Sequence, residues 1–555
     1  MPESLKEKTA KGLLWGGLNS TVQQLLGIVF GIILARRLNQ SDFGMIAMIS
    51  IFSLIGNDLQ NSGFKTALAN LREPTDRDYN SVFWFNILMG GSIYVVLFLC
   101  APLIARFYHV PELTALARYA FLGIVFASFG TAQSAWLFKN LRAKQQAKAG
   151  MVAVLLSSSV AVVMAYMGFA YWALATQTNL YILTCTAMYW HYSPWRPTRM
   201  AAAQHSKLNV QSSKADAQRS RIINYQLPII NYEVLRPALK MFRFSVKLLI
   251  SQVLTDVNNN ILNILIGRFY GRHDTGNYNQ AFQWSTKGSN IIQNMVQQVA
   301  QPVLVSVDDE HERQLRILRK MMRFAAFLSF PLLFGLSLVS HEFIVTLLGE
   351  KWAESAAYLR LLAIASAFLP LSTLLANVVI TKGRSNIFMY VNLSLACLQT
   401  LTMLVIYHYH ISLPSLSQLS TLSQPLLNPF STAPQALSQL PTLNSQLMTM
   451  VLAFVVLTIL WFFVWGFFVR RLAGYRFRML LADVLPFLLA AAAVMLATGF
   501  LTTQLSTVSQ LSTLNSQLSI LLARILVAAL LYYSLMRLFR VQILNDCLQF
   551  LKRKK

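Results

Sequence analysis

Apolar residues in this chain run in long blocks, with few charges inside them. Met151–Ala175, Phe324–Leu348 and Val451–Val469 are such blocks, and a helix needs about 20 apolar residues to cross a bilayer core. The same reading along the whole sequence predicts about fourteen helices. They fall at 12–35, 45–66, 79–105, 114–138, 148–169, 171–192, 242–267, 277–303, 324–347, 356–380, 386–409, 448–469, 479–501 and 520–539. The expected fold is therefore an all-α polytopic membrane protein.

Composition agrees. Hydrophobic residues make up 55% and charged residues 12%, where a soluble globular chain carries roughly a quarter charged. Residues 1–11 are charged, and no small-residue cleavage site follows, so the first apolar segment is expected to remain as a membrane helix. The four cysteines (Cys100, Cys185, Cys397, Cys547) are widely separated. No disulfide framework and no metal spacing is predicted among them.

A net charge of +26 raises a nucleic-acid reading. The distribution of the charge excludes it. With the N-terminus in the cytoplasm, fourteen spans return the C-terminus there. The clusters Lys139/Arg142/Lys144/Lys148, Arg313/Arg316/Arg319/Lys320/Arg323 and Arg470/Arg471/Arg476/Arg478 then all face the cytoplasm. This is the positive-inside pattern, and it sets cations against anionic membrane lipids.

The blocks divide into a six-helix bundle at 1–194, a basic cytoplasmic connection at 195–240, a second six-helix bundle at 241–469, and two further helices at 470–555. Uncharged Ser/Leu/Gln-rich stretches interrupt the last two parts at 411–446 and 502–519. Thr442–Leu447 and Thr513–Leu518 have the same six residues. Such segments lack the apolar faces that offset ordering entropy and read as dispensable outer insertions. A weak internal repeat links the bundles: Arg36, Asp42 and Gly44 match Arg268, Asp274 and Gly276 at a constant offset of 232 residues. Parallel six-helix repeats are a transporter architecture.

Polar residues inside the apolar blocks carry the candidate chemistry. Gln252, Asp256, Asn259 and Asn263 share one face of the helix at 242–267. Gln280, Gln283, Lys287, Asn290, Asn294, Gln297 and Gln301 share one face of the next. Ser50, Ser53, Asn57, Asp58 and Asn61 form a shorter version on the second helix. A polar face cannot point at lipid without a large desolvation cost. The expectation is a hydrated cavity between the bundles, with interhelical hydrogen bonding as the plainer reading for any single Asn.

Other motifs carry less. Asp76-Arg77-Asp78 has the look of a metal-dependent sugar-transferase pair, but Thr75 and Asp76 are simpler as helix-capping residues. Asp308-Asp309-Glu310-His311 reads as the acidic start of a helix rather than a metal site. There is no Gly-rich phosphate loop.

Ala35–Gly44, Ala101–Tyr108, Gly276–Asn279 and Leu348–Trp352 resemble segments of lipopolysaccharide and exopolysaccharide flippases. These belong to the multidrug/oligosaccharidyl-lipid/polysaccharide exporter superfamily. The resemblance implies fourteen helices in two pseudo-symmetric six-helix bundles plus two, in the bacterial inner membrane. It implies no enzymatic activity, no cofactor and no nucleic-acid partner. The implied substrate is an undecaprenyl-diphosphate-linked oligosaccharide bound for a surface polysaccharide, handed on to other polysaccharide-assembly proteins. On that reading Lys287 meets the diphosphate, while Gln283, Asn290, Asn294, Asn259 and Asn57 meet sugar hydroxyls. Arg36, Arg37, Arg268 and Arg272 are mouth cations, with interfacial snorkelling as the alternative. Asp58 and Asp256 can take a proton or sodium ion. Two rivals stand beside it: a cation-coupled drug exporter of the same superfamily, and a membrane glycan polymerase or ligase.

Overall fold

A computed structural model describes residues 22–61, 68, 74–198, 232–306, 311–411, 445–508 and 517–539. Most of the stretches 195–240 and 411–446, part of 502–519, and Asp308–Glu310 lie outside these residues. The described residues are mostly helical, with no strand among them. The chain divides into two compact units, Met1–Val257 and Asn258–Lys555.

In unit 1, residues 22–37 are helical. There follow α1 (Gln40–Asn61), α2 (Asp76–Tyr108), α3 (Leu113–Ala120), α4 (Leu122–Ser128), α5 (Thr131–Lys139), α6 (Ala143–Tyr166) and α7 (Tyr171–Tyr192). Then α8 (Tyr232–Phe269) runs across the boundary between the units. Thr75 caps α2 as expected: its hydroxyl accepts from the Asp78 N–H at 3.3 Å. The Asp78 carboxylate accepts from the Thr75 N–H at 2.9 Å. Thr75 and Asp78 form a capping box, and Asp76 is the first residue of the helix.

The predicted helix 114–138 is not continuous. It is broken into α3, α4 and α5, with a bend of 45° after Ser128. The reason lies on α7. Asn179 donates to the Tyr119 carbonyl at 2.7 Å, Thr186 to the Phe126 carbonyl at 3.0 Å, and Trp190 to the Phe129 carbonyl at 2.8 Å. Carbonyls released at the breaks are thus satisfied from one neighbouring helix, the condition for a kink inside a membrane. Gly130 makes room: a Cβ there would lie 2.8 Å from the Thr186 hydroxyl.

Unit 2 continues with α9 (Gly271–Ser306), α10 (His311–Leu338), α11 (Ser340–Leu348), α12 (Ala353–Ser366) and α13 (Leu369–Thr381). It closes with α14 (Ser385–His408), α15 (Ser445–Ala473), α16 (Phe477–Val508) and α17 (Gln517–Leu538). Its core packs Met322, Phe330, Leu333, Phe368, Leu371, Phe462 and Trp465, all buried. Leu348-Gly349-Glu350-Lys351-Trp352 forms a tight turn. Gly349 takes φ 102°, a conformation that favours glycine, and Trp352 is driven fully inside.

Two buried ionic contacts tie the last helices to the bundle. Asp483 on α16 accepts from Arg319 Nε at 2.8 Å, Arg319 Nη2 at 3.0 Å, Arg323 Nε at 2.6 Å and the Tyr475 hydroxyl at 3.0 Å. Burial first, and the Asp483 carboxylate next, push the Tyr475 phenol above its usual range, so it remains a donor. On α17, Arg524 Nη1 donates to Glu342 at 2.6 Å.

Nine helices among the described residues are long and apolar enough to cross a membrane, or ten if the bent pair counts as one span. The described residues do not establish the expected number of fourteen. The first predicted span lies partly outside the described residues. Helices α7, α8 and α9 are long enough, but none is among the nine. The polar side chains that α7 uses to mend α3–α5, and the polar faces of α8 and α9, dilute their apolar content.

Candidate functional site

The structure divides the polar stripe of α9: Gln280 is buried, and the side chains of Gln297 and Gln301 lie outside the described residues. Gln283 and Asn294 are exposed, and Lys287 and Asn290 are half-buried along the same stripe. On the opposite side, Tyr278, Ser285 and Ser289 are buried against unit 2. The Lys287 ammonium lies over the Trp284 ring, 4.6 Å from its centroid. Within its own unit, no carboxylate among the described residues pairs with it. The quadrupole of an aromatic ring attracts a cation over its face without supplying a counter-charge.

On α8, Gln252 and Asn259 are exposed and Asp256 is half-buried. Gln252 Nε2 donates to Asp256 Oδ1 at 3.3 Å. Asn263 departs from this face: it is buried, and its carbonyl oxygen has no hydrogen-bond partner. On α1, Asn57 and Asp58 are half-buried, and Asn57 donates to the Ser53 carbonyl at 2.8 Å. Asp58 and Asp256 are close enough to interact electrostatically, although they are far apart in sequence.

The four mouth arginines do not behave alike. Arg36, Arg37 and Arg272 are exposed, and Arg268 is half-buried. Arg37 lies over the Tyr166 ring at 5.3 Å, a stacking contact that anchors it locally. The internal repeat has a shared local structure. Each copy is a helix end, a short break, and a new helix with its acid in the first turn, Asp42 on α1 and Asp274 on α9. Gly44 and Gly276, two residues on, are buried.

Sequence reading missed one buried polar cluster in unit 1. Gln60, fully buried, donates to Asn86 at 2.8 Å and to Thr131 at 2.9 Å. Gln133 is equally buried, and neither polar atom of its amide has a hydrogen-bond partner. Gln60 adjoins the Asn57/Asp58 set on α1, but only packing between helices brings it to Asn86 and Thr131, 26 and 71 residues away.

Residues 33–215 and 222–357 match the family described as polysaccharide biosynthesis protein. The chain belongs to this family. Teichuronic acid biosynthesis protein TuaB of Bacillus subtilis is 26% identical over 70% of this chain and 74% of its own. Lipopolysaccharide biosynthesis protein WzxC of Escherichia coli is 23% identical over 69% and 72%. Succinoglycan biosynthesis transport protein ExoT of Rhizobium meliloti is 23% identical over 67% and 69%. Among solved structures, a multidrug resistance MATE family transporter of the MOP superfamily, in an inward-facing conformation, superposes with a TM-score of 0.55. It is 14% identical and covers 81% of this chain and 95% of its own. That likeness concerns the fold.

Proposed function

We propose that this chain flips an undecaprenyl-diphosphate-linked oligosaccharide across the bacterial inner membrane for surface polysaccharide biosynthesis. The α9 stripe is the observation that carries the reading: exposed Gln283 and Asn294 flank Lys287 inside an otherwise apolar helical protein of a polysaccharide family. A diphosphate and sugars cannot cross hydrocarbon unaided, whereas a prenyl tail can stay in lipid. Amide side chains exchange hydrogen bonds with sugar hydroxyls, and a cation offsets the diphosphate charge. The work is transport rather than catalysis. Asp58 and Asp256 are the pair at which a proton or sodium ion can couple to it.

Deleting the gene should deplete one surface polysaccharide and accumulate its lipid-linked repeat unit on the cytoplasmic side. Normal glycan with heightened sensitivity to cationic dyes would instead identify a drug exporter. The proposed orientation places both termini in the cytoplasm. Periplasmic reporters fused after Ser412 and Thr503 should be active, and those after Arg199, Arg313 and Gly474 inactive. One reversal among the five breaks this topology.

A further inference from the structure

At one end of unit 2, the break before α9 and the turn before α12 bring together three ligand-type side chains. His273 Nδ1 lies 3.4 Å from Asp274 Oδ1 and 3.8 Å from Glu354 Oε2. All three donor atoms fall within 4.8 Å of one another. A dication with bonds of about 2.1 Å holds tetrahedral ligands about 3.4 Å apart. An ion therefore fits among these donors with shifts of a few tenths of an ångström.

The carboxylate from α12 is held in place. Glu354 Oε2 accepts from Asn277 Nδ2 at 2.6 Å, and Asn277 Oδ1 accepts from the Ser355 hydroxyl at 3.0 Å. Asn277 and Ser355 are both fully buried. Outer-layer hydrogen bonds of this kind orient metal-binding carboxylates. Tyr358, one turn along α12, lies within electrostatic range of both Asp274 and Glu354. The backbone fixes the approach, because Gly271 (φ 83°) and Gly349 (φ 102°) occupy turns that favour glycine. The His273 side chain is 51% exposed, which leaves a route for an ion and its waters.

An ion pair alone accounts poorly for this arrangement. A neutral imidazole brings no charge, and a protonated one brings a single charge to two carboxylates. Two like charges converge on one point most readily when a dication sits between them. The nitrogen donor favours a transition metal over calcium or magnesium, which prefer all-oxygen shells.

We propose that His273, Asp274 and Glu354 form a binding site for a zinc-class dication that clamps the start of α9 to the start of α12. The proposal is independent of the transport reading. Full-length protein, purified in detergent without a polyhistidine tag, should take up one zinc ion per chain in equilibrium dialysis. His273→Gln and Glu354→Gln should each weaken uptake tenfold or more, while Glu350→Gln on the adjoining turn leaves it unchanged. Asn277→Ala, which frees Glu354 without removing a ligand, should weaken it by roughly tenfold. A second measurement needs no variant: zinc, but not magnesium, should shield His273 from diethyl pyrocarbonate, read by mass spectrometry. No zinc uptake, an unshielded His273, or parental uptake by folded His273→Gln and Glu354→Gln would each overturn the site.

Discussion

Replacing Lys287 with Gln should remove most transport at unchanged protein abundance, Lys287→Glu should remove nearly all of it, and Lys287→Arg should keep a part. The half-buried Lys287 places its ammonium over the Trp284 ring at 4.6 Å on the polar stripe of α9, and among the described residues no carboxylate of its unit pairs with it. A hydrogen bond to a charged group contributes about 1.5–3 kcal/mol, which corresponds to a loss of roughly ten- to a hundredfold when the charge goes. Gln fits the stripe and keeps a donor, so its deficit isolates the charge. Arg keeps the charge and changes the shape. The measurement is the rate at which surface glycan recovers in a deletion strain carrying each variant, normalised to membrane protein. Parental recovery with Lys287→Gln would remove this residue from the substrate path.

The largest effect on stability is expected at Asp483. Its carboxylate is fully buried and accepts four hydrogen bonds, from Arg319, Arg323 and Tyr475. Asp483→Asn leaves two guanidinium groups, with side chains 31% and 41% exposed, facing a neutral amide, and losing hydrogen bonds to a charged group costs on the order of 1.5–3 kcal/mol. The heat-stable fraction in detergent, followed by size-exclusion chromatography, should fall sharply. Arg316→Gln lies on the exposed side of the same helix and should shift it little, since exposed charges contribute about 0–1 kcal/mol. A melting profile for Asp483→Asn that overlays the parent's would show that the cluster does not hold α16 to α10.

Several features were legible because they depend on near neighbours along the chain. The length of an apolar run decides membrane insertion, so the blocks at 148–169, 386–409 and 448–469 reappear as α6, α14 and α15 with small changes at their ends. A helix cap involves near neighbours, so Thr75 could be placed from the letters alone, although its carboxylate partner is Asp78 rather than Asp76. Helical spacing put Gln283, Lys287, Asn290 and Asn294 on one face, and that face is accessible in the fold.

Packing decided the rest. Asn263 has the right spacing for the α8 stripe, yet it is buried, because neighbouring helices rather than periodicity determine which side of a helix is covered. The helix at 114–138 breaks where Asn179, Thr186 and Trp190 offer donors to its carbonyls, and those residues lie about 60 positions away. Arg319 and Asp483 are 164 residues apart, and the sequence shows only a basic cluster and an isolated acid. Membrane charges counted by side of the bilayer record where lysines and arginines lie. Which of them is neutralised by a buried carboxylate, and which stays available to a ligand, is fixed only when distant helices meet, since electrostatic energy falls with distance in space and not along the chain.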